Sequence, residues 1–205
     1  MFYYERKLKK KGYNLIIGVD EAGRGPLAGP VVAAAVALKN THFKNRIDDS
    51  KRLTPRQREN AFLELMNKSV FGIGIINEKI IDQLNILVAT RIAMEEAITA
   101  LIKKLKNDKK QRIYILVDGN VKLDIKLPYI NIIRGDSKSK SIASASILAK
   151  VTRDRIMCLY DKAYPQYGFL QHKGYATKMH RAALKKFGPC LIHRMTFLRT
   201  KKLYA

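Results

Sequence analysis

The chain has 205 residues, of which 47% are hydrophobic, so it is long enough to bury a core and too apolar to be disordered. Forty Lys and Arg residues against seventeen Asp and Glu give a net charge of +23, a balance typical of proteins that bind nucleic acid. No apolar run approaches about 20 residues, so we expect no membrane span.

The first predicted elements are two strands separated by a glycine-rich loop. The apolar runs Leu15–Asp20 and Val31–Leu38 have the length and boundaries of buried strands. A helix should follow, with Thr54 as its N-cap, Pro55 in its first turn and Gln57 completing a capping box.

The middle of the chain predicts one strand and one long helix. The strand covers Val70–Ile76, although Gly72 and Gly74 weaken the pattern. The helix runs from Ile81 to Lys106, because apolar residues recur at helical spacing and lysines crowd its end, where the helix dipole favours them.

The second half predicts two further strands and two helices. The strands are Ile113–Val117 and Tyr129–Ile133. The helices are Ser139–Ala163 and a final one at Thr177–Phe187, which should end at Gly188-Pro189. This interleaved order predicts a single α/β domain with a mixed sheet over residues 1–205.

Acidic residues stand where three of these strands end. Asp20, Asp118 and Asp136 each come at or just after the end of an apolar run, and ligands of open α/β sheets bind outside the carboxyl ends of strands. With Glu21 they would supply the oxygen ligands that two divalent cations need for phosphodiester chemistry. Neighbouring strand residues point to opposite faces, so we expect the strand to end or twist at Asp20 if both acids serve one site.

These acids also have structural explanations. Asp118 before a glycine is a common turn residue, and Asp136 could be a helix N-cap. The pair Asp20-Glu21 is harder to explain in that way, because the segment Gly23-Arg24-Gly25 follows it. That loop offers backbone N–H groups and a guanidinium, both of which suit phosphate.

Eight ordered blocks resemble the ribonuclease HII family. They extend from Tyr13 to about Leu198, and the ordered set is much more specific than any one block. The blocks are Asp20–Val31, Asp49–Leu53, Ile81–Ile86, Val117–Asn120, Gly135–Lys138, Ala143–Lys150, His172–Tyr175 and His193-Arg194.

The resemblance implies a ribonuclease H-like fold, with a mixed five-stranded sheet flanked by helices in about residues 13–163. A C-terminal helical extension in about residues 164–205 would contribute to substrate binding. The implied activity is hydrolysis of the RNA strand of RNA–DNA hybrids, and incision 5′ of single ribonucleotides embedded in duplex DNA. The products would carry a 3′-hydroxyl and a 5′-phosphate, and the reaction would need Mg²⁺ or Mn²⁺.

The resemblance also assigns metal ligands. Asp20 would bridge two ions, Glu21 and Asp118 would bind the ion near the leaving oxygen, and Asp136 would bind the ion that activates water. Asp154 is the nearest rival, but it lies inside a predicted helix between two arginines, which favours a structural salt bridge.

For substrate binding, the family's loop corresponds to Gly23, Arg24 and Gly25, whose backbone would contact the 2′-hydroxyl that distinguishes RNA from DNA. Tyr175 would stack on the next sugar, and arginine rather than lysine in the loop favours the type-two enzymes. Asn85 would contact the DNA backbone or cap a helix locally, and His193 is predicted to be a packed histidine. Phosphate contacts are expected from Lys51, Lys138, Lys173 and Arg194.

Other functions fit parts of this pattern. An acidic membrane surface or a lysine-rich solvated surface could also account for the charge. A non-catalytic basic RNA-binding protein fits the charge too, but acids at strand ends would repel phosphates unless cations lie between them. A transposase or junction resolvase would keep the fold but would not need a reader of the 2′-hydroxyl.

Location and partners are predicted from what the sequence does not contain. Cys158 and Cys190 have no metal-ligand spacing, which fits a reducing compartment, and the N-terminus lacks a signal-peptide pattern. The tail Lys201–Ala205 shows no sliding-clamp motif. We therefore expect a cytoplasmic, monomeric protein with no membrane or protein partner implied.

Overall fold

Five strands form one mixed sheet in the order β3-β2-β1-β4-β5 in this computed structural model, which describes residues 1–105 and 111–200. β1 pairs antiparallel with β2 and β2 with β3, whereas β1–β4 and β4–β5 are parallel. The predicted mixed five-stranded sheet is therefore confirmed. The strands are β1 (Leu15–Ala22), β2 (Val31–Leu38), β3 (Ser69–Ile76), β4 (Ile113–Asp118) and β5 (Tyr129–Ile132).

Eight α-helices lie in the described ranges. None of them combines the length and the apolar character that crossing a membrane requires. They are α1 (Tyr3–Lys10), α2 (Pro55–Lys68), α3 (Glu78–Leu84), α4 (Ile86–Ile102), α5 (Lys140–Ala163), α6 (Phe169–His172), α7 (Lys178–Phe187) and α8 (Met195–Thr200).

Helices cover both faces of the sheet. Ala33 and Ala35 of β2 pack in the cluster that contains the buried face of α4. Ala34 and Val36 belong to the opposite cluster, with α2 and α5. The run of small residues in β2 follows from this arrangement, because a strand buried on both faces has no polar side.

The glycines of β3 are explained by close packing of α4. A Cβ added at Gly72 would lie 2.1 Å from the carbonyl oxygen of Ala97, and one at Gly74 would lie 2.0 Å from that of Ala93. Backbone cannot approach a side chain so closely, so glycine allows the helix to sit directly on the strand.

We expect Gly74→Ala to destabilise the protein by about 1–3 kcal/mol, because the methyl group must push α4 away from the sheet. The measurement is the free energy of unfolding in urea. The control is Ile75→Ala on the same strand, where the side chain is 48% exposed and a clearly smaller loss is expected. Equal losses would contradict the packing explanation.

The long helix predicted from Ile81 to Lys106 is wrong, because the chain breaks at Asn85. Asn85 has φ 70°, and its side chain accepts hydrogen bonds from the amides of Leu87 (2.9 Å) and Val88 (3.2 Å). It therefore caps α4 locally, one of its two predicted roles. Helix α4 ends at Ile102, and Lys106 lies outside the described residues.

Other boundaries agree more closely with the sequence. The capping box of Thr54 and Gln57 is present, and Gly188 ends α7 as predicted. Helix α7 is not the last one, because α8 follows it, and the N-terminal helix α1 was not predicted. Strand β1 continues to Ala22, so it does not end at Asp20. The alternative, a twist at Asp20, stays a prediction.

Candidate active site

Asp20 and Asp118 are brought side by side by the parallel pairing of β1 with β4. The last matched pair is Val19 with Val117, and each aspartate follows its valine directly. Side chains at matched positions of neighbouring strands share a face, so the two carboxylates meet at the carboxyl end of the sheet. Oxygen atoms of Asp20, Asp118 and Asp136 all lie within 4.8 Å of one another.

Asp136 reaches this group from a short turn after β5. Arg134 adopts the left-handed conformation (φ 54°), which turns the chain into a 3₁₀ turn at Gly135–Ser137. The Gly135 amide donates to Oδ1 of Asp118 at 2.6 Å, so one acidic side chain fixes the turn that carries another. Ser139, rather than Asp136, caps the helix that follows.

Glu21 lies beside the three aspartates but outside their group of close oxygens. The charges of Glu21, Asp20 and Asp118 nevertheless act on one another, so the Glu21 carboxylate is close to the group. Its carboxylate is 3.4 Å from the guanidinium of Arg24. Burial and then the charge of Asp118 raise the pKa of Glu21, although Arg24 acts in the opposite direction.

The aspartates destabilise one another unless a cation lies between them. Burial raises the pKa of Asp20 well above its usual value, and Glu21 and Asp118 add to the shift, while a hydrogen bond with the Ser146 hydroxyl opposes it. Burial and the charge of Asp118 also raise the pKa of Asp136. Buried like charges with oxygen donors suit a hard divalent cation, so the residues fit the predicted metal.

We expect Asp20→Asn to raise the melting temperature of the metal-free protein at pH 7 by about 2–4 °C. The pKa of Asp20 is higher in the folded protein than in the unfolded chain, where it is near 3.9. Asp20 therefore contributes its full stability only below about pH 3.9, and that contribution is lost as the pH rises through the folded-state pKa. At neutral pH the folded protein must either bury a charge at Asp20 or take up a proton there, and asparagine avoids both costs. The measurement is thermal unfolding in EDTA.

The same variant should lose the gain in melting temperature that Mn²⁺ gives the unaltered protein. The control is Asp161→Asn, whose carboxylate accepts a hydrogen bond from the Leu170 amide, away from the group. That control should respond to Mn²⁺ normally. A lower melting temperature of Asp20→Asn in EDTA would contradict the electrostatic explanation.

The loop after β1 is held from behind by the fully buried Arg153 of α5. Its guanidinium donates to the carbonyls of Pro30 (2.9 Å), Ala28 (3.0 Å) and Lys173 (3.0 Å). Gly23 has φ +100°, and a Cβ there would lie 2.1 Å from Nε of Arg153. Only glycine therefore fits at this position of the loop.

Arg194 holds the same loop from the other side, and its predicted role as a phosphate contact needs correction. The side chain is fully buried, and it donates to the carbonyls of Gly29 (2.7 and 2.9 Å), Gly23 (2.7 Å) and Arg24 (3.0 Å). All three nitrogen atoms of the guanidinium thus donate to carbonyls within the protein. No local pattern indicated this role, because a basic residue in a basic chain resembles a surface residue.

Tyr175 stands next to the loop with its ring open to solvent. The side chain is 42% exposed, and a Cβ added at Gly25 would lie 3.9 Å from its Cε1 atom. The cations of Lys150 and Arg153 lie 5.8 and 5.9 Å from the ring centre. An exposed aromatic face beside backbone N–H groups can stack on a sugar while the loop contacts its hydroxyl.

Residues 17–200 match the family model described as Ribonuclease HII. The chain belongs to the ribonuclease HII family. The ribonuclease HII of Ruminiclostridium cellulolyticum is 53% identical over 201 residues, which is 97% of this chain and 76% of the relative. That of Acholeplasma laidlawii is 50% identical over 203 residues, or 98% and 95% of the two chains.

Solved structures agree with the family. Ribonuclease H2 from Pyrococcus horikoshii OT3 matches with a TM-score of 0.70 and 28% identity over 92% of this chain and 96% of that one. Bst-RNase HIII in complex with Mn²⁺ shares the fold, with a TM-score of 0.75 and 18% identity over 92% and 68%. The ribonuclease H-like fold is therefore confirmed. This family member is a metal-dependent ribonuclease H, an endonuclease of RNA–DNA hybrids.

Three lysines of this ribonuclease HII family member are predicted to contact substrate phosphates, and their surroundings differ. Lys51 lies near the carboxylates: burial lowers its pKa, but Asp49, Asp136 and the other aspartates outweigh that effect, so its pKa is raised. The ammonium of Lys138 is exposed and donates to the Ile133 carbonyl at 2.8 Å. Lys173 is half-buried, and its ammonium donates to the Leu170 carbonyl.

Two residues with weaker functional signals have structural roles in this ribonuclease HII family member. Asp154 forms ion pairs with Lys150 (2.7 Å) and Arg58 (3.8 Å), so the predicted salt bridge is confirmed, although not with the neighbouring arginines. His193 is buried with its Nε2 atom 3.0 Å from that of His180, as predicted for a packed histidine. Burial lowers the pKa of both histidines to about 4.

Proposed function

We propose that the protein hydrolyses the RNA strand of RNA–DNA hybrids and also incises 5′ of single ribonucleotides embedded in duplex DNA, leaving a 3′-hydroxyl and a 5′-phosphate. The observation that carries this proposal is the position of the three close aspartates at the carboxyl end of the sheet, where β1 leads into the loop that lies beside Tyr175. In this proposal the cleavage chemistry and the reader of the ribose share one surface.

The proposed metal ligands are Asp20, Glu21, Asp118 and Asp136, with Mg²⁺ or Mn²⁺ as the ions. Two such ions, when bound, supply an activated water and stabilise the leaving oxygen. By the family resemblance Asp20 would serve both ions, and its oxygen lies within 4.8 Å of oxygens of Asp118 and Asp136. Glu21 and Asp118 would hold the ion near the leaving oxygen, and Asp136 the ion near the water.

Recognition of the ribonucleotide is assigned to the loop Gly23-Arg24-Gly25 and to Tyr175. Arg153 and Arg194 fix the carbonyls of the loop and its flanks, so the loop amides need not reorganise when a substrate binds. Lys51, Lys138 and Lys173 add phosphate contacts in this proposal. Such contacts would position the substrate but carry no information about the sugar.

The test is incubation with duplex DNA that contains one ribonucleotide, with and without Mg²⁺, followed by mapping of the cut. We expect a single incision 5′ of the ribonucleotide that requires the ion. All-DNA duplex is the control and should stay intact. Cleavage of an RNA–DNA hybrid without any incision at the single ribonucleotide would overturn the finer proposal and leave the family activity in place.

Tyr175→Ala should lower kcat/KM for the single embedded ribonucleotide by about tenfold to a hundredfold, and should affect a long hybrid less, because a hybrid offers many alternative positions. The measurement is steady-state kinetics on both substrates. Leu170→Ala is the control, since that side chain is 53% exposed in the same C-terminal part. Unchanged activity of Tyr175→Ala on the single ribonucleotide would contradict the assignment.

A non-catalytic RNA-binding function accounts for the charge but does not explain the buried aspartates.

The cytoplasm stays our prediction for the location, and it is consistent with the free thiols of Cys158 and Cys190. A relative from Archaeoglobus fulgidus was solved as a PCNA:RNase HII complex. The monomeric state stays a prediction. The lack of a clamp partner was predicted from the tail Lys201–Ala205, which lies outside the described residues, so it stays a prediction too.

A further inference from the structure

The N-terminal helix α1 carries a buried acid that the proposed chemistry does not use. Glu5 is only 5% exposed, and its Oε1 atom accepts hydrogen bonds from the Ser139 hydroxyl (2.7 Å) and the Ser141 amide (2.9 Å). Its Oε2 atom is buried and has no hydrogen-bond partner within the described residues. A carboxylate in such surroundings is costly, so its presence calls for a compensating role.

Glu5 and the chain around it cap the first turn of α5. The amide of Lys140 donates to the Met1 carbonyl at 2.8 Å, and that of Ile142 donates to the Ser139 hydroxyl at 3.2 Å, while the same hydroxyl donates to Glu5. The first amides of a helix have no partner within the helix. Here the N-terminal segment supplies acceptors for two of them, the amides of Lys140 and Ser141. It also places an acidic side chain where the helix dipole favours one.

This cap is connected directly to the aspartates. The Ser139 amide donates to the Gly135 carbonyl at 2.8 Å, and the Gly135 amide donates to Oδ1 of Asp118 at 2.6 Å. Asp136 lies between these residues in the same turn. A loss of the cap would therefore release one end of the turn that presents Asp136.

We propose that Glu5 is a positioning residue for the metal site, acting through Ser139 and the turn at Gly135–Ser137 to hold Asp136 against Asp118. The proposal rests on the proposed role of Asp136 as a metal ligand. Residues that orient metal ligands typically change metal affinity by about tenfold to a hundredfold when they are removed.

The experiment compares Glu5→Ala with the unaltered full-length protein by two readouts that need no cleavage. Calorimetry should show that Mn²⁺ binds about tenfold more weakly. Amide hydrogen exchange should be about tenfold faster or more across residues 135–142, because Ser141 has lost its acceptor. Glu5→Gln keeps an acceptor oxygen at the same place and should recover at least half of the loss in log Kd.

The matched control is Leu8→Ala on the same helix. Leu8 is 8% exposed and belongs to the buried cluster that contains Ile16 and Ile142. Its removal should therefore lower the melting temperature without weakening Mn²⁺ binding more than about twofold. Equal weakening of Mn²⁺ binding in Leu8→Ala and Glu5→Ala would overturn the proposal, as would unchanged Mn²⁺ binding in Glu5→Ala. If the unaltered protein binds Mn²⁺ but cleaves no ribonucleotide substrate, the proposed function fails while this inference is still tested.

Discussion

Asp118→Asn is expected to lower kcat for Mg²⁺-supported cleavage by about a thousandfold or more, while the affinity for substrate changes little. The amide oxygen of asparagine can still accept the hydrogen bond from the Gly135 amide, now 2.6 Å from Oδ1, so the turn should hold. What is lost is one negative charge at a site that must bind divalent cations, an effect worth several kcal/mol. The measurement is single-turnover cleavage of an RNA–DNA hybrid.

The matched control for this variant is Asp154→Asn. Asp154 is the other acid that was considered as a metal ligand. It forms ion pairs with Lys150 and Arg58 and is not part of the group of three close aspartates. Its activity should therefore stay within about threefold, since the loss concerns partly exposed ion pairs worth about 1 kcal/mol or less. Full activity of Asp118→Asn would remove Asp118 from the site. A thousandfold loss in Asp154→Asn would give the role of Asp118 to Asp154.

Arg194→Lys should destabilise the protein by about 3 kcal/mol and lower kcat/KM by about tenfold to a hundredfold. Lysine keeps the charge but lacks the planar fork that reaches the carbonyls of Gly23, Arg24 and Gly29 at once. Each charge-assisted hydrogen bond that is lost costs about 1.5–3 kcal/mol. Movement of the loop then misplaces the substrate. Urea unfolding and steady-state kinetics measure the two effects.

Arg155→Ala is the control for Arg194→Lys, because its guanidinium pairs with Glu59 on the exposed surface of α5. A loss of less than about 1 kcal/mol and normal kinetics are expected for it. If Arg194→Lys were as stable and active as the unaltered protein, the loop would not depend on the buried guanidinium. A direct phosphate contact would then again be the better explanation of its place in the family motif.

Local chemistry explains why several elements could be predicted from the sequence alone. Strand β2 is a run of apolar residues without polar interruptions, and its predicted bounds, Val31–Leu38, agree with the structure. The capping box of Thr54 and Gln57 and the stop at Gly188 depend on side chains and backbone within a few residues. Helix α1 was missed because its eight residues are mostly charged or aromatic, and its buried face depends on distant partners.

The break at Asn85 shows a limit of periodicity. Apolar spacing continues through α3 and α4, so the pattern predicts one helix, but the chain turns at a residue with φ 70°. Residues other than glycine rarely adopt this conformation (φ 70°, ψ 165°), and the Asn85 side chain also caps the next helix. A count of apolar residues detects neither feature.

The sequence by itself determined the acids that follow apolar runs, the glycine loop and the family resemblance, because each depends on residues that are neighbours in the chain. It also determined the basic charge, which depends on composition alone. Only the tertiary structure decided that Asp20 and Asp118 stand on one face, since that depends on the parallel register of β1 and β4. It also showed Arg194 beneath the loop and Glu5 beneath the start of α5. These contacts join residues 134 to 171 positions apart, and no local pattern encodes such pairings.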